Sequence, residues 1–593
     1  MKAIRHTVLA AALLGAAAAN AQTIPSDPMQ NPECVVSPTT FNSWFASGTP
    51  TVNGVVNPAD SIAFQPNNNC DFYKWSEQMF MWLTSPAPAS YGGTGPVFNS
   101  NAFYQIFVGS DGKLHFLPQP SMNKKMNFSL RAAQAGAHGL PVILDNNRVL
   151  HEIKPTSKSK SGKQMIAGPN GKLVEIASAK FGPGGQPILL DAKGKQIKPQ
   201  LKALLAQPNG QPSFVQQIMI GKTAVFFDEN GNPIIPDQGQ AGRSSGVLVG
   251  QNGEPLNGSL VYYATFTNDV YAYYLTQVKN ANSGTTPVNT FFPTSAQDLA
   301  PIVAYAKLHG VTFPDPNALA IEVKTSWVQV SKPRPEYYVS LSALVPVYQV
   351  SADGKTWKPT GQYKPATLAL VGIHVVGSLT NHPEMAWSTF ELFGNTPNAT
   401  YQYLNSNNQL TQVPQNTTGN WLFCQTNCQG PFNVQLATYA SAPNITATTS
   451  APIGPSNTLR QKAFGAAYGT APNAGVTSDA QSNSEVITTN NTVLKQILSG
   501  DVRKNYYMVG STWTTSGAVP NGAYSPQTPN NTEIGTSQLQ NTTMETYQQG
   551  STNTWSPTTN CFGCHNKSTN PSKTTVEVSH IWPPLMPLFQ PPK

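Results

Sequence analysis

Short strand–turn–strand units recur between residues 141 and 260, and they restrict this part of the chain to β-hairpins. The clearest units are PVILDNNRVLHEI, QPILLDAKGKQI, KTAVFFDENGNPII and SGVLVGQNGEPL. Each joins an apolar run to a second short run through a polar turn built on Asn-Asn, Lys-Gly or Asn-Gly. Asn-Gly tolerates positive φ at both turn positions, as two-residue hairpins require. The pattern therefore predicts an inserted β-hairpin repeat region over residues 141–260.

Longer apolar runs outside this region predict a sheet accompanied by few helices. The runs ALAIEVKTSWVQV, EYYVSLSALVPVYQV, ATLALVGIHVVGSL and EMAWSTFEL are rich in β-branched and aromatic residues, which favours buried strands. In CDFYKWSEQMFMWLTSP, Asp71 can cap a helix, and Phe72, Trp75, Met79 and Trp82 recur at helical spacing on one face. The predicted fold class is α+β and β-rich, with a large mixed β core and few helices.

The N-terminal residues predict export. Lys2 and Arg5 precede a short Ala-rich apolar run that ends in Ala19-Asn20-Ala21, which has the three parts of a secretory signal with cleavage after Ala21. No later stretch reaches the about 18 apolar residues of a membrane-spanning helix. We therefore expect a soluble protein in the periplasm or secreted medium, either free or associated with the outer surface of a membrane.

The stretch TTNCFGCHNKS holds Cys561, Cys564 and His565 in the spacing C-x-x-C-H. Two thiols at this spacing can add to the two vinyl groups of a haem, and the following histidine then faces the iron. Export strengthens this interpretation, because c-type haem is attached outside the cytoplasm. A thioredoxin-like site would need a βαβ setting, and a zinc site would need a second pair of ligands nearby. We predict one covalent haem c, with His565 as the axial ligand of its iron.

The sixth iron ligand decides whether such a haem transfers electrons or activates a bound molecule. His580 and Met586 lie downstream of the motif and are the first candidates. An open sixth position remains an alternative. The upstream candidates are Met544, Met508, His374 and His382.

The other four cysteines form an even set in a chain predicted to be exported. Cys34 with Cys70, and Cys424 with Cys428, is the economical disulfide pairing. A metal site built from all four is the alternative, although their surroundings lack the ligand spacing of a zinc ribbon.

Several segments resemble uncharacterised exported bacterial proteins of the cytochrome c family that carry a single C-terminal CxxCH haem motif. They are LQNTTMETYQQ, NCFGCHN and VEVSHIW near the C-terminus, ALVGIHVVGS and HPEMAWSTFE in the centre, and CDFYKWSEQMFMWLTSP near the N-terminus. The resemblance implies covalent haem on Cys561 and Cys564 with His565 axial, and it implies no particular reaction. His374 and Trp387 lie in the central segments; they either pack against the haem or belong to an ordinary core.

We predict five parts, ending in a C-terminal mono-haem segment with a proline-rich tail that lies extended over the surface. They are a signal peptide at 1–21, the N-terminal part of the main domain at 22–140, the hairpin region at 141–260, the central sheet-rich part at 261–445, and the haem-binding part at 446–593.

Three functions fit these observations. The first is a c-type cytochrome that passes single electrons to a protein partner. The second is a haem-dependent oxidoreductase of peroxidase or oxygenase type, acting on a substrate held by the β-rich portion. The third is a surface- or polymer-binding protein with a haem sensor. The net charge of +8 and the lysines of KPTSKSKSGK suit an acidic redox partner or an anionic surface. Because no aromatic residues are interleaved there, we expect no nucleic acid partner.

Overall fold

The protein is described here from a computed structural model. The described residues are 23–92, 95–108, 113–117, 126–127, 142–144, 150–154, 156–168, 171–182, 186–201, 213–220, 223–234, 246–247, 249–250, 260–330, 337–416, 419, 421–424, 428–441, 444–465, 476–520, 533–536, 538–549, 561–565 and 575–589. The predicted signal peptide at 1–21 lies outside them.

Strands predominate over helices, and the prediction of a β-rich α+β fold is confirmed. The helices are α1 Pro38–Trp44, α2 Asn69–Thr84, α3 Asp269–Ala281, α4 Ala296–Leu308, α5 Val476–Gln496 and α6 Cys561–Cys564. The strands are β1 Phe103–Val108, β2 Leu114–Leu117, β3 Met126–Asn127, β4 Val142–Leu144, β5 Leu150–Lys154, β6 Met165–Ala167, β7 Leu173–Glu175, β8 Ser178–Phe181, β9 Pro187–Leu190, β10 Ser213–Ile220, β11 Thr223–Phe227, β12 Pro233–Ile234, β13 Gly246–Val247, β14 Val261–Asn268, β15 Ile321–Val330, β16 Ser340–Val350, β17 Thr356–Leu379, β18 His382–Leu392, β19 Tyr401–Leu404, β20 Leu410–Val413, β21 Ala437–Ser441, β22 Asn444–Ala447, β23 Tyr506–Thr514 and β24 Glu533–Gly535.

A large sheet organises the main part of the chain. Its spatial order runs β13-β21-β22-β17-β15-β14-β1-β2, and the long strand β17 also pairs with β16 and β18. Strand β18 also pairs with β23, and β23 pairs with β24. Apart from the short parallel pairing of β3 with β16, the pairings of this sheet are antiparallel. The antiparallel order lets side chains from distant segments meet in cross-strand rows.

Helices α2 and α5 cover one side of this sheet. On α2 the four predicted face residues are all buried. The cap differs from our expectation, because Asn68 rather than Asp71 caps the helix by accepting from the backbone nitrogen of Cys70 at 2.9 Å. The Cys34–Cys70 disulfide ties the start of α2 to the preceding loop, with the two Cα atoms 4.8 Å apart. Cys424 and Cys428 form the other disulfide.

The region at 141–260 contains hairpins and a small sheet. Strands β4–β5, β6–β7, β8–β9 and β11–β12 pair antiparallel as neighbours, and β10 joins β5 in parallel. Strand β13 belongs instead to the large sheet, where it pairs with β21. The division of the chain into five parts stays a prediction.

The C-terminal tail differs from the predicted extended surface segment. Residues 575–578 form a 3-10 helix and turns follow. Val576, Ile581, Trp582 and Leu585 are buried against α3 and its neighbours. Burial of this apolar surface explains why the tail does not lie extended over the protein. No helix in the described part of the chain combines the length and apolarity that crossing a bilayer requires.

Candidate functional site

A cleft that is open to solvent lies between the large sheet and the C-terminal segments. Its lining residues are Thr265, Glu322, Lys324, His374, Val376, Trp387, Ser388, Thr389, Leu539, Gln540, Glu545, Gln548, Cys561, His565, His580 and Ile581.

Cross-strand register builds the floor of the cleft. Lys324 of β15 lies opposite Thr265 of β14 and His374 of β17, and His374 lies opposite Thr389 of β18. These four side chains therefore form one polar row across four strands. The next row along the strands includes Glu322, Val376 and Trp387. The sheet thus presents a charged row beside a row that ends in an indole ring.

Residues Leu539–Gln549, here called the cover segment, lie over this floor and are fixed to it by hydrogen bonds. The hydroxyls of Thr543 and Ser326 are 2.5 Å apart. Asn541 accepts from the backbone nitrogen of Thr543 at 3.0 Å and donates to the carbonyl of Phe390 at 3.2 Å. Gly372 makes the close approach possible, since a Cβ at this position would lie 2.5 Å from Thr543 Oγ1.

A buried ion pair anchors the same segment from its other side. Arg460 pairs with Glu391, and both side chains are almost completely buried. Thr542 donates to Glu391 through its backbone nitrogen at 2.6 Å and through its hydroxyl at 2.5 Å. A buried carboxylate is tolerated when it is paired and hydrogen-bonded in this way. The cover segment is therefore held rigidly against β18.

Glu545 of the cover segment joins two basic side chains of the floor. One carboxylate oxygen lies 2.9 Å from Lys324 Nζ, and the other lies 2.9 Å from His374 Nε2. Asn541 donates its backbone N–H to the second oxygen at 2.9 Å. Burial acts to raise the pKa of Glu545, but the charges and hydrogen bonds of Lys324 and His374 outweigh it and hold this pKa well below its ordinary value. Glu545 is therefore a carboxylate at neutral pH.

The C-x-x-C-H motif forms the short helix α6 and the residue that follows it. The backbone nitrogen of His565 donates to the carbonyl of Cys561 at 2.8 Å. The ring nitrogen Nδ1 of His565 lies 2.7 Å from the carbonyl oxygen of Val578. A carbonyl only accepts, so Nδ1 carries the hydrogen, and in the neutral ring the lone pair is on Nε2. Metal-binding histidines are commonly oriented by a second hydrogen bond of this kind.

Aromatic rings surround His565. The indole of Trp387 has its centroid 4.2 Å from the imidazole centroid. His580 stacks on the same imidazole at 3.8 Å, with 16° between the planes. Two axial ligands of one haem instead point a nitrogen at the iron from opposite faces. The two rings would have to separate for both to bind one iron.

The segment around His580 is fixed by buried polar contacts. Ser579 donates to Glu322 at 2.6 Å and shares a hydrogen bond of 2.7 Å with Tyr271. Lys279 of α3 donates to the carbonyls of Trp582, Pro583 and Leu585, at 2.6 to 3.0 Å. Burial lowers the pKa of Lys279 to about 8. These contacts fix the carbonyl of Val578 that orients His565.

A buried carboxyl lies directly against α6. Glu533 of β24 accepts from the backbone nitrogen of Phe562 and from the hydroxyl of Thr512, the latter at 3.4 Å. Burial raises the pKa of Glu533 to about 8, and these hydrogen bonds only partly oppose the shift. Glu533 is therefore mostly uncharged at neutral pH.

The structure separates the candidates for a sixth ligand. His580 and His374 line the cleft, but His374 has both ring nitrogens in hydrogen bonds, to Thr389 at 2.8 Å and to Glu545. Met508 belongs to the main core. The remaining candidates, Met544, His382 and Met586, are not among the described residues that line the cleft.

Cys561 is half-buried and lines the cleft beside His565. The side chain of Cys564 lies outside the described part of the structure. Asn560, which precedes the motif, also lies outside it.

The residues of the cleft fit the haem that the C-x-x-C-H motif implies. A thiol and an imidazole with an oriented Nε2 lone pair are the donors that such a group requires. Gln540 lines the cleft, and its side-chain nitrogen is buried without a hydrogen-bond partner among the described residues. Gln540 and the Lys324 ammonium are suited to the carboxylate arms of a porphyrin.

Reasoning from single motifs missed Lys324, Gln540 and Glu545 as site residues. Their only signal was the resemblance in LQNTTMETYQQ, which contains Gln540 and Glu545. Lys324 lies in a run that reads as an ordinary buried strand, so its place in the cleft depends on strand register.

Comparison with protein-family models, with curated proteins and with solved structures finds no match to this chain.

Proposed function

We propose that this chain is an exported c-type cytochrome that carries one covalent haem in the cleft and transfers single electrons to a protein partner. The observation that carries the proposal is the placement of Cys561 and His565 together on the wall of one cleft, with His565 Nδ1 bound to the Val578 carbonyl. This hydrogen bond selects the tautomer in which Nε2 can bind iron.

Three residues of the motif would hold the group. The thiols of Cys561 and Cys564 would each add to one vinyl group, forming a carbon–sulfur bond while the thiol hydrogen passes to the vinyl carbon. His565 Nε2 would bind the iron. Lys324 of the floor and Gln540 of the cover segment would bind the porphyrin carboxylates. When bound, the haem supplies a one-electron redox centre.

The resemblance to exported bacterial proteins of the cytochrome c family supports the same proposal. Thirteen of the sixteen lining residues lie in the segments that carry it, the exceptions being Thr265, Glu322 and Lys324. These segments are far apart in the chain yet converge on one cleft. A resemblance unrelated to a shared site would not concentrate in this way.

His580 is the sixth ligand that this proposal favours. It lies in the cleft within reach of His565, and to bind the iron its ring would have to leave the stacked position that it holds against His565 at 3.8 Å. Met586 is held elsewhere, because its backbone nitrogen donates to the carbonyl of Leu114 at 2.8 Å. Two histidine ligands would close the iron and favour electron transfer over binding of small molecules.

A haem-dependent oxidoreductase of peroxidase or oxygenase type is the second candidate. The observation that favours it is the charged row of the floor, where Glu545 joins His374 and Lys324 inside the cleft. Such groups can move or hold a proton near a reacting molecule. In that case the sixth position would be open and His580 would lie beside the iron without binding it.

Absorption spectroscopy on the purified protein, matured in a host that attaches c-type haem, tests the proposal. We expect a coloured protein whose haem is covalently attached. Its spectrum should be six-coordinate and low-spin, and cyanide and carbon monoxide should not change it. The Cys561→Ala, Cys564→Ala double variant should be colourless after denaturing electrophoresis with haem staining.

The ligand variants separate the two candidates. His580→Ala should convert the spectrum to high spin, while the control Met586→Ala should leave it unchanged. A high-spin wild-type spectrum that responds to cyanide would favour the oxidoreductase instead. A wild-type protein that is colourless, with both thiols of the motif free, would refute both.

The predicted compartment follows from the same chemistry. Haem of the c type and two disulfides both call for an oxidising environment outside the cytoplasm. We propose the periplasm or the secreted medium as the location.

A further inference from the structure

The positive charge of the chain is concentrated in one short region. Residues 156–201 contain eight lysines and two acidic residues, a net charge of +6, whereas the whole chain has a net charge of +8. The remaining residues are therefore almost neutral overall. A concentration of this degree produces a local positive potential rather than a general one.

This region, here called the basic hairpin layer, shares a small core with strands β10 and β11. Strands β6–β7 and β8–β9 form two hairpins, and Ile166, Ile176, Leu189 and Ile197 are buried between them. The lysines point away from this core and are all exposed: Lys158, Lys160, Lys163, Lys172, Lys180, Lys193, Lys195 and Lys198.

The two acidic side chains do little to offset these lysines. Glu175 pairs with Lys163 at 3.1 Å, and Asp191 accepts from the backbone nitrogens of Lys193 and Lys195 at 2.9 Å each. The Asp191 carboxylate therefore stabilises the backbone of the turn. Seven of the eight ammonium groups are not in an ion pair that the described structure shows.

Two apolar side chains are exposed among the lysines. Leu173 and Phe181 are each 43% exposed and directly follow Lys172 and Lys180 in the sequence. Each lies at one end of a hairpin strand. Exposed leucine and phenylalanine beside lysine form the combination that binds lipid interfaces, where ammonium groups meet headgroup phosphates and apolar side chains enter the acyl boundary.

We propose that the basic hairpin layer binds an anionic lipid surface and holds the protein at a membrane. Charge complementarity selects an anionic surface, and the exposed Leu173 and Phe181 favour lipid over a purely polar acidic partner. The surface lies in residues that make no contribution to the cleft, so this proposal does not depend on the haem.

Co-sedimentation of the full-length mature protein with lipid vesicles tests the proposal. Vesicles of phosphatidylcholine alone are compared with vesicles that also contain phosphatidylglycerol. We expect binding to the anionic vesicles only, weakened by added salt because exposed charges are screened. A triple variant, Lys158→Gln, Lys160→Gln, Lys193→Gln, should bind about a hundredfold more weakly.

Matched variants decide between this surface and a general charge effect. The control is Lys307→Gln, Lys358→Gln, Lys495→Gln, which removes the same charge from three exposed lysines elsewhere. It should bind as the wild type does. The double variant Leu173→Ser, Phe181→Ser should lose affinity while keeping its charge.

Three outcomes would overturn the proposal. They are no binding of the wild type to anionic vesicles, an equal loss in the control triple variant, and unchanged binding of the Leu173→Ser, Phe181→Ser protein. Retention on an immobilised acidic protein without vesicle binding would assign the layer to a protein partner instead. Circular dichroism of each variant confirms that the hairpins are intact.

Discussion

The substitution Glu545→Gln should lower the free energy of unfolding by about 2–4 kcal/mol at pH 7. In the wild type, Glu545 satisfies Lys324 and His374 at 2.9 Å each and accepts from the backbone of Asn541. A glutamine of the same shape carries no charge and turns an NH2 group towards one of these donors. Removing one partner of a buried pair costs about 3–5 kcal/mol. Lys324 and His374 are 17% exposed, so water recovers part of this loss.

The effect should depend on pH in a direction fixed by the lowered pKa of Glu545. Burial raises this pKa, but the neighbouring cations reverse the shift, and the folded protein holds the carboxylate ionised. Above the ordinary value of 4.5 the ionised carboxylate contributes its full stabilisation. Below it the unfolded chain binds a proton that the folded protein does not, so the contribution falls with falling pH. The difference between wild type and Glu545→Gln should therefore narrow below pH 4.5.

Two measurements check this prediction. Denaturant unfolding at pH 7 and at lower pH gives the free-energy difference, and hydrogen exchange of the cover segment localises it. The control is Glu33→Gln, which removes an exposed carboxylate and should change stability by less than about 0.5 kcal/mol. If Glu545→Gln matches the control, or if its effect is equal at pH 3 and pH 7, the buried charge cluster does not exist as described.

Three further perturbations follow from the packing around the cleft. Gly372→Ala should cost about 1–3 kcal/mol in unfolding free energy, because its Cβ would meet the cover segment at 2.5 Å, whereas Gly454→Ala has open space and should be neutral. Burial raises the pKa of Glu533 to about 8, so wild-type stability should fall by a few kcal/mol, relative to Glu533→Gln, as pH rises from 4.5 to 8. Equal pH profiles would contradict this. Lys279→Met leaves three carbonyls without their ammonium donor and should cost about 3 kcal/mol; unchanged proteolysis of residues 575–589 would argue against it.

Sequence periodicity predicted the β-rich class and the aromatic face of α2, because both depend on local spacing. It did not reveal most of α5. The sequence TSDAQSNSEVITTNN has a polar surface by composition, yet Ser484, Thr489 and Asn490 are buried. Asn490 exchanges two hydrogen bonds with the backbone of Met508, at 2.8 and 2.9 Å. Val486, Ile487 and Val493 of this helix are buried as well, but the polar residues packed beside them obscure the apolar stripe that a sequence pattern would reveal.

The C-x-x-C-H motif could be read from the sequence because its residues are close together in the chain, but the cleft around it could not. Lys324 and Glu545 are 221 residues apart, and His374 is 171 residues from Glu545. Their meeting depends on the register of β15 against β17 and on the path of the cover segment. A shift of one residue in that register would turn Lys324 to the other face of the sheet. Pairing over such distances leaves no local pattern.

The cleft depends on a wide part of the large sheet. Trp387 lies beside His565, and Lys324 lies in the charged row. The two residues are separated by two strand spacings across the sheet and by two residues along the strand direction, a distance of roughly 12 Å. A floor of this width needs four adjacent strands in fixed register. It is supported from behind by α2, where Ser76 hydrogen-bonds to Ser388 and Trp75 contacts Gly377. A short cytochrome could surround a haem with helices, but it could not hold a buried carboxylate and two basic side chains on a wall of this extent. The charged floor therefore accounts for four strands of the large sheet, and it is where a function beyond the proposed electron transfer would be found.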